Sequence, residues 1–353
     1  MTVNINPILI DLGPVQVSWY GLMYVLGFLA AYLLVRYQML IFEDLTKVDD
    51  RSFIKIIKEV NNKTLVLALK GASDGLKEKL FRNMSEKDIQ MLQENLEQTK
   101  EFRLKDVEAA QLSILKIGKK LESDGKIPSG TLKKKYFGVS KLEIENLFFY
   151  LILGLIIGAR LGYVLFYDLK MYLADPLEIF AVWHGGMSFH GGLIGVLIVG
   201  ILFCWKNKKS FWKIADLFIV TAPVGLGLGR IGNFINGELW GRVTNVPWGM
   251  IFPKGGPLPR HPSQLYESGL EGGVLFLILW FLKDKKLPDG ALLAVFLFFY
   301  GLFRFTVEFF RQPDLQLGFI LGPLTMGQIL SSFMLIGGVI LFFYLKAREK
   351  KKG

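Results

Sequence analysis

Apolar residues in this chain run in long blocks. Seven segments stay apolar on every helical face over roughly the 20 residues a helix needs to cross hydrocarbon: residues 19–37, 147–167, 187–205, 211–228, 268–282, 291–309 and 324–345. The fourth and fifth have the shortest uncharged cores. Between the first and second the pattern changes: apolar positions return at helical spacing over residues 49–60, 63–69 and 103–123. Ser73 and Ser85 stand where helix caps would, the latter with Asp88 three residues on. The sequence predicts an all-α polytopic membrane protein with about seven transmembrane helices. A soluble, all-helical insertion of roughly five helices separates spans one and two.

Charge is segregated in the same way. Of the 353 residues, with 42 Lys+Arg against 31 Asp+Glu, the stretch 43–135 holds 20 basic and 16 acidic side chains, about 39% of its length. The rest holds 22 and 15, about 14%. The first is a water-soluble composition and the second a membrane one. Boundaries follow: residues 1–38 and 131–353 are membrane-embedded, and 39–130 form the insertion. A lone cysteine, Cys204, allows neither an internal disulfide nor a thiolate metal site, so no metal and no cofactor is expected.

Basic residues gather after the third segment (Lys206, Lys208, Lys209, Lys213), the fifth (Lys283, Lys285, Lys286) and the seventh (Lys346, Arg348, Lys350, Lys351, Lys352). Basic short loops face the cytoplasm, which puts the insertion and the C-terminus inside and the N-terminus in the periplasm. No Lys or Arg precedes Arg36, so the first segment reads as a retained span. The net charge of +11 is absorbed by these loops beside anionic membrane lipid, at about 1 kcal/mol per residue. No nucleic-acid motif is present.

Other charges resist that placement. Arg160 lies within the second segment; Arg230, Glu238, Arg242, Arg260 and Glu267 lie between the fourth and fifth; Arg304 and Glu308 lie near the outer end of the sixth. Charges at membrane depth are expensive and mark functional sites. In Gly229-Arg-Ile-Gly-Asn-Phe-Ile-Asn-Gly-Glu-Leu-Trp-Gly-Arg242, the residues Arg230, Asn233, Asn236, Glu238 and Arg242 offer guanidinium, amide and carboxylate groups suited to an anionic headgroup. The plain alternative is a turn capped by amides. Tyr300, Arg304 and Glu308 fall on one helical face, as a second phosphate contact or as a salt bridge locking the bundle. His190, in His184-Gly-Gly-Met-Ser-Phe-His190-Gly-Gly, is either a general base or a packed histidine; His184 and His261 are weaker candidates.

Trp19-Tyr20-Gly21, the His184 to Gly192 run, Gly229-Arg230 through Gly241-Arg242, Arg260-His261-Pro262-Ser263-Gln264, and Tyr300 to Arg311-Gln312-Pro313-Asp314 closely resemble the prolipoprotein diacylglyceryl transferases. The resemblance covers residues 1–38 and 131–345. It implies transfer of an sn-1,2-diacylglyceryl group from phosphatidylglycerol to the lipobox cysteine thiol of a prolipoprotein, giving a thioether and glycerol phosphate. It also implicates Tyr20, His190, Arg230, Asn233, Glu238, Gly241, Arg304 and Glu308, to which Tyr300 is added. On this reading Arg230 and Arg304 hold the phosphate, with Asn233, Gly241 and Tyr300 in the lipid site. His190, or a Tyr or Glu neighbour, takes the thiol proton, and Glu238 and Glu308 orient the arginines.

The insertion has its own likeness. Phe42-Glu43-Asp44-Leu45, Asp49-Asp50-Arg51-Ser52, Ala68-Leu69-Lys70-Gly71-Ala72, Arg82-Asn83-Met84-Ser85 and Arg103-Leu104-Lys105-Asp106-Val107-Glu108 resemble the C-terminal domain of the flagellar rotor switch protein FliG. That family contacts the stator through a charged helix, here residues 85–96. Lys70, Lys87, Glu94 and Arg103 match its charged positions, and Asn95 stands where an acidic residue is usual. A flagellar-motor or other cytoplasmic partner is the implied occupant, against an appended passenger. Two rival classes stand beside the enzyme: a membrane-anchored interaction protein with a vestigial site, and a transporter, which would need polar residues on both sides of the midplane.

Overall fold

The structure, a computed structural model, describes residues 1–13, 16–98, 102–181, 185–312, 319–321 and 324–351. His184, Pro313, Asp314 and Lys352 lie outside them. A short hairpin, β1 (Ile8–Asp11) and β2 (Gln16–Ser18), leads into α1 (Trp19–Gln38). A 3-10 turn, Phe42–Lys47, opens the charged block, which continues as α2 (Asp50–Lys58), α3 (Asn62–Lys70), α4 (Asp74–Arg82), α5 (Glu86–Gln98) and α6 (Leu104–Ser123). The remainder is α7 (Lys141–Phe166), α8 (Leu169–Ala174), α9 (Phe189–Lys206), α10 (Phe211–Ile219), α11 (Ala222–Ile235), α12 (Ser263–Glu267), α13 (Leu275–Leu282), α14 (Ala291–Val307) and α15 (Met326–Lys350). A second small hairpin, β3 (Phe319–Leu321) with β4 (Leu324–Thr325), precedes α15. The two hairpins are the β-structure that the apolar blocks did not announce.

Helix starts follow the sequence closely. Asp49 accepts from the Ser52 amide at 2.9 Å and Asn61 from Thr64 at 2.8 Å. Ser140 with Glu143, and Thr325 with Gln328, form capping boxes at α7 and α15. Each satisfies amides that a helix start leaves without partners.

Among the described residues four helices are long and apolar enough to cross a membrane: Trp19–Gln38, Lys141–Phe166, Ser263–Leu282 and Met326–Lys350. The pair α10 and α11, bent by 42°, makes a fifth if taken as one span, and His190–Lys206 and Ala291–Val307 are shorter apolar helices. All seven expected segments thus carry apolar helix, but the fourth is broken. Pro223 sits in the first turn of α11, where its missing N–H costs nothing and a continuing α10 could not accommodate it. The fifth begins at Ser263 rather than 268, and residues Ser268–Val274 adopt a π-helical turn between α12 and α13.

The chain divides into two units, residues 38–211 and residues 1–37 with 212–353. In the first, the block closes around its own core: Phe53, Ile56, Leu69, Leu76, Ile114 and Leu115 are all 0–1% exposed. Its entry and exit segments are neighbours, with the Leu40 amide donating to the Lys135 carbonyl at 3.0 Å. Glu108 on α6 accepts from Ser140 Oγ at 2.5 Å and from the Leu142 amide at 3.0 Å, so the block helps cap α7. α7 and α9 pack glycine to glycine: Gly154, Gly158 and Gly162 meet Gly191 and Gly195 so closely that a Cβ on Gly195 would land on the Gly154 carbonyl oxygen. Small residues four apart are what let membrane helices approach backbone to backbone.

In the second unit, α14 lies along α15 with Gly301 and Gly338 at the contact. α11 lies on the π-turn, where Gly227 faces Gly272 and Ser268 Oγ donates to the Gly227 carbonyl at 3.0 Å. Buried Asp216 accepts from the Gly290 and Leu293 amides at 2.7 and 3.1 Å, capping α14 from α10. These contacts fix the elements that carry the charges.

Candidate active site

Arg230 on α11 and Arg304 on α14 converge on two carboxylates from one helix face. Glu267 and Glu271, four residues apart across the start of the π-turn, are both fully buried. Arg230 Nε lies 3.1 Å from Glu267 Oε2, and its Nη2 lies 3.7 Å from Glu271 Oε2. Arg304 Nη1 donates to the other Glu267 oxygen and lies 4.0 Å from Glu271 Oε1. Its Nη2 reaches Glu308 Oε2 at 3.1 Å, one turn along its own helix. Thr325 Oγ1 donates to Glu308 Oε1 at 3.1 Å, and Arg311 Nη1 is 3.9 Å from Glu308 Oε2. The result is a continuous ladder of guanidinium and carboxylate on apolar helices, where charge without a partner could not persist.

After α11 the chain turns back on itself. Asn233 and Asn236 donate to Glu238 Oε1 at 2.9 and 3.3 Å, and Gln264 donates to the Glu238 carbonyl at 2.7 Å. Glu238 therefore faces amides, whereas the carboxylates that hold Arg230 are Glu267 and Glu271. Gly241 is clamped between two chain segments: its amide donates to the His261 carbonyl at 2.9 Å, and a Cβ there would be 2.6 Å from both the His261 and Phe310 carbonyl oxygens. Arg242 Nε donates to the Arg311 carbonyl at 2.9 Å, and Arg260 to the carbonyls of Gly255 and Gly241. These two arginines tie the loop between α11 and α12 together. His261 Nδ1 meets Tyr266 Oη at 3.2 Å, and burial lowers its pKa from the ordinary histidine value.

Tyr20, in the first turn of α1, lies on Gly232, where a Cβ would come 2.7 Å from its ring. Its hydroxyl is 3.0 Å from that of Tyr24, and Tyr24 interacts electrostatically with Arg230 and Glu238. Tyr300, stacked on Phe296 at 5.5 Å, interacts in the same way with Arg230, Arg304, Glu267 and Glu271. Tyr20, Arg230, Asn233, Glu238, Gly241, Tyr300, Arg304 and Glu308 all belong to one unit. His190 belongs to the other, exposed in the first turn of α9, whose start is capped by Ser188. In that unit Arg160 is buried against backbone, donating to the carbonyls of Ile179, Ala181 and Gly186 at 2.9, 3.1 and 3.2 Å.

Sequence reasoning passed over Glu271. It stood inside a predicted span, and the rule that flagged Arg160 there, an ionisable residue at membrane depth, applies equally to it. Among the described residues no group of three or more His, Cys, Asp or Glu is arranged to hold a metal ion.

Several long apolar helices carrying paired guanidinium and carboxylate groups define a multi-pass membrane protein with a buried charged cluster. The family model for prolipoprotein diacylglyceryl transferase matches residues 129–344, and that for the FliG C-terminal domain matches residues 31–128. The phosphatidylglycerol–prolipoprotein diacylglyceryl transferase of Desulfotalea psychrophila is 40% identical over 354 residues, 99% of this chain and 96% of that protein. Those of Geobacter sulfurreducens and Aeromonas salmonicida are 56% and 57% identical over 207 and 216 residues, covering 59% and 61% of this chain and 80% and 78% of theirs. The chain belongs to the prolipoprotein diacylglyceryl transferase family. Because the Desulfotalea alignment spans 99% of the chain, that relative carries a counterpart of the charged block.

Proposed function

We propose that this enzyme transfers the sn-1,2-diacylglyceryl group from phosphatidylglycerol to the lipobox cysteine thiol of prolipoproteins. The observation that carries the reading is the convergence of Arg230 and Arg304 on Glu267 inside a chain of this family. The thiolate sulfur attacks C3 of the glyceryl group, the C3–O bond breaks, and its electron pair leaves on the phosphate as glycerol phosphate. A free thiol has a pKa of about 8.5 and must first lose its proton. His190 is assigned as the base, with Tyr20 and Glu238 as supporting groups. Arg230 and Arg304 bind the phosphate through planar forks that match its oxygens, Glu308 orients Arg304, and Asn233, Gly241 and Tyr300 shape the headgroup site.

In this reading all seven apolar helices cross the bacterial cytoplasmic membrane. The N-terminus is periplasmic, and the block 39–130 and the C-terminus are cytoplasmic; the basic loops after α9, α13 and α15 support that orientation. The test is release of glycerol phosphate from phosphatidylglycerol by the purified protein, with and without a lipobox peptide. Peptide-dependent release, lost in Arg230→Ala and cut by about 10²–10⁴ in His190→Gln, is the outcome the reading requires. Near-normal turnover in His190→Gln removes the base assignment. No release from folded wild-type protein favours the second reading, an anchored interaction protein, for which the FliG C-terminal domain match speaks.

A further inference from the structure

Glu271 is fully buried, and neither of its carboxylate oxygens has a hydrogen-bond partner. Its nearest cations, Arg230 Nη2 and Arg304 Nη1, stand off at 3.7 and 4.0 Å. The neighbouring carboxylates are held differently. Glu267 Oε1 is hydrogen-bonded by Arg304 and Oε2 is 3.1 Å from Arg230. Glu308 is hydrogen-bonded by Thr325 and packed on Gly327. Leaving all the acceptor capacity of a buried carboxylate unused is costly, and it falls on the residue carried by a π-turn, a distortion often found at functional sites.

The charges around Glu271 already balance. Arg230 from α11 and Arg304 from α14 face Glu267, Glu271 and Glu308, Arg311 just beyond α14 adds a third cation against Glu308, and the Tyr300 hydroxyl lies alongside. A phosphodiester brings one more negative charge into a medium where an unbalanced one is expensive. One carboxylate must therefore give way when the lipid docks, and Glu271 is the one no hydrogen bond retains.

We propose that Glu271 is an exchangeable counter-ion and a positioning residue for the transfer reaction. In the empty site its carboxylate balances the arginine pair. When the lipid phosphate takes both guanidiniums, Glu271 gains one proton from water and becomes a neutral acid, so the net charge of the site is unchanged. This rests on the phosphatidylglycerol reading above.

The experiment uses full-length protein in nanodiscs of a zwitterionic lipid and titrates short-chain phosphatidylglycerol, whose phosphodiester does not itself titrate between pH 6 and about 9. If one proton is taken up per lipid bound, the wild-type dissociation constant rises as pH rises, approaching about tenfold per pH unit where Glu271 is ionised. In Glu271→Gln that slope vanishes, lipid binds about tenfold more tightly than to wild type at high pH, and inhibition by glycerol phosphate strengthens in step. Glu267→Gln should move the other way, weakening lipid binding, because it removes the charge that hydrogen-bonds Arg304 and ion-pairs with Arg230. A pH-independent wild-type constant overturns the proposal even if Glu271→Gln fails to fold, and so does a Glu271→Gln protein that binds lipid no better than wild type. Wild-type protein that binds phosphatidylglycerol without ever releasing glycerol phosphate overturns the transfer reading instead.

Discussion

Arg230 and Arg304, from helices far apart in the chain, share the two oxygens of a single carboxylate, that of Glu267. The arrangement fixes the separation of two planar cations. Removing the shared partner leaves two buried charges facing each other. Glu267→Ala should lower stability by about 3–5 kcal/mol, the usual cost of breaking a buried pair from one side. Thermal unfolding in detergent checks this, and an unchanged midpoint would show that Glu267 carries no such weight.

Arginine at positions 230 and 304 matters for its shape as well as its charge. A lysine keeps the charge but offers one compact ammonium in place of a fork. Arg230→Lys and Arg304→Lys should each reduce kcat/KM by roughly 10²-fold, in the range of losing one preorganised donor to developing charge. Steady-state release of glycerol phosphate measures it, and a lysine variant with wild-type kcat/KM rules out the bidentate grip.

The α7–α9 contact leaves no room for side chains. Gly195→Val would drive a branched side chain into the Gly154 carbonyl, and overpacking of this kind costs about 1–3 kcal/mol. Gly200→Val, on the same helix with nothing within 4 Å of a Cβ, is the matched control and should unfold at the wild-type temperature. Equal midpoints for the two would mean the helices are not held at the glycines.

Acid should loosen the start of α2 before the rest of the block. Hydrogen bonding from the Ser52 amide holds the Asp49 carboxyl below its usual pKa of 3.8. A group depressed in the folded state stabilises it above the unfolded value, and that contribution fades as pH falls through the folded one. Hydrogen exchange of residues 50–58, corrected for the intrinsic rate, should show protection lost below about pH 4 in wild type, while Asp49→Asn shows no such step.

Much of this was readable in advance, for physical reasons that differ by region. Apolar blocks locate helices well because hydrocarbon is a blunt requirement. Ser73 and Ser85 announce helix starts because short polar side chains have few other uses beside an apolar repeat, and each accepts from the amide three residues on. The four-residue spacing of Arg304 and Glu308 puts them 3.1 Å apart. What the spacing did not disclose was long-range pairing. Glu238 lies near Arg230 in the chain but turns to Asn233 and Asn236, while Arg230 finds Glu267 and Glu271 across the fold. The break between α10 and α11 was signalled by Pro223, and the early start of the fifth apolar helix was hidden because Glu267 looks like an end until its arginines are seen.

The charged block leaves and re-enters its host at adjacent points, since Leu40 and Lys135 are joined by one hydrogen bond. By backbone geometry alone it is a cassette that a tight turn could replace. Glu108 makes the excision audible elsewhere, because that carboxylate supplies acceptors to Ser140 and Leu142 at the mouth of α7. A shortened enzyme that has lost activity would thus not show that the cassette takes part in transfer until a new acceptor has been engineered at the start of α7.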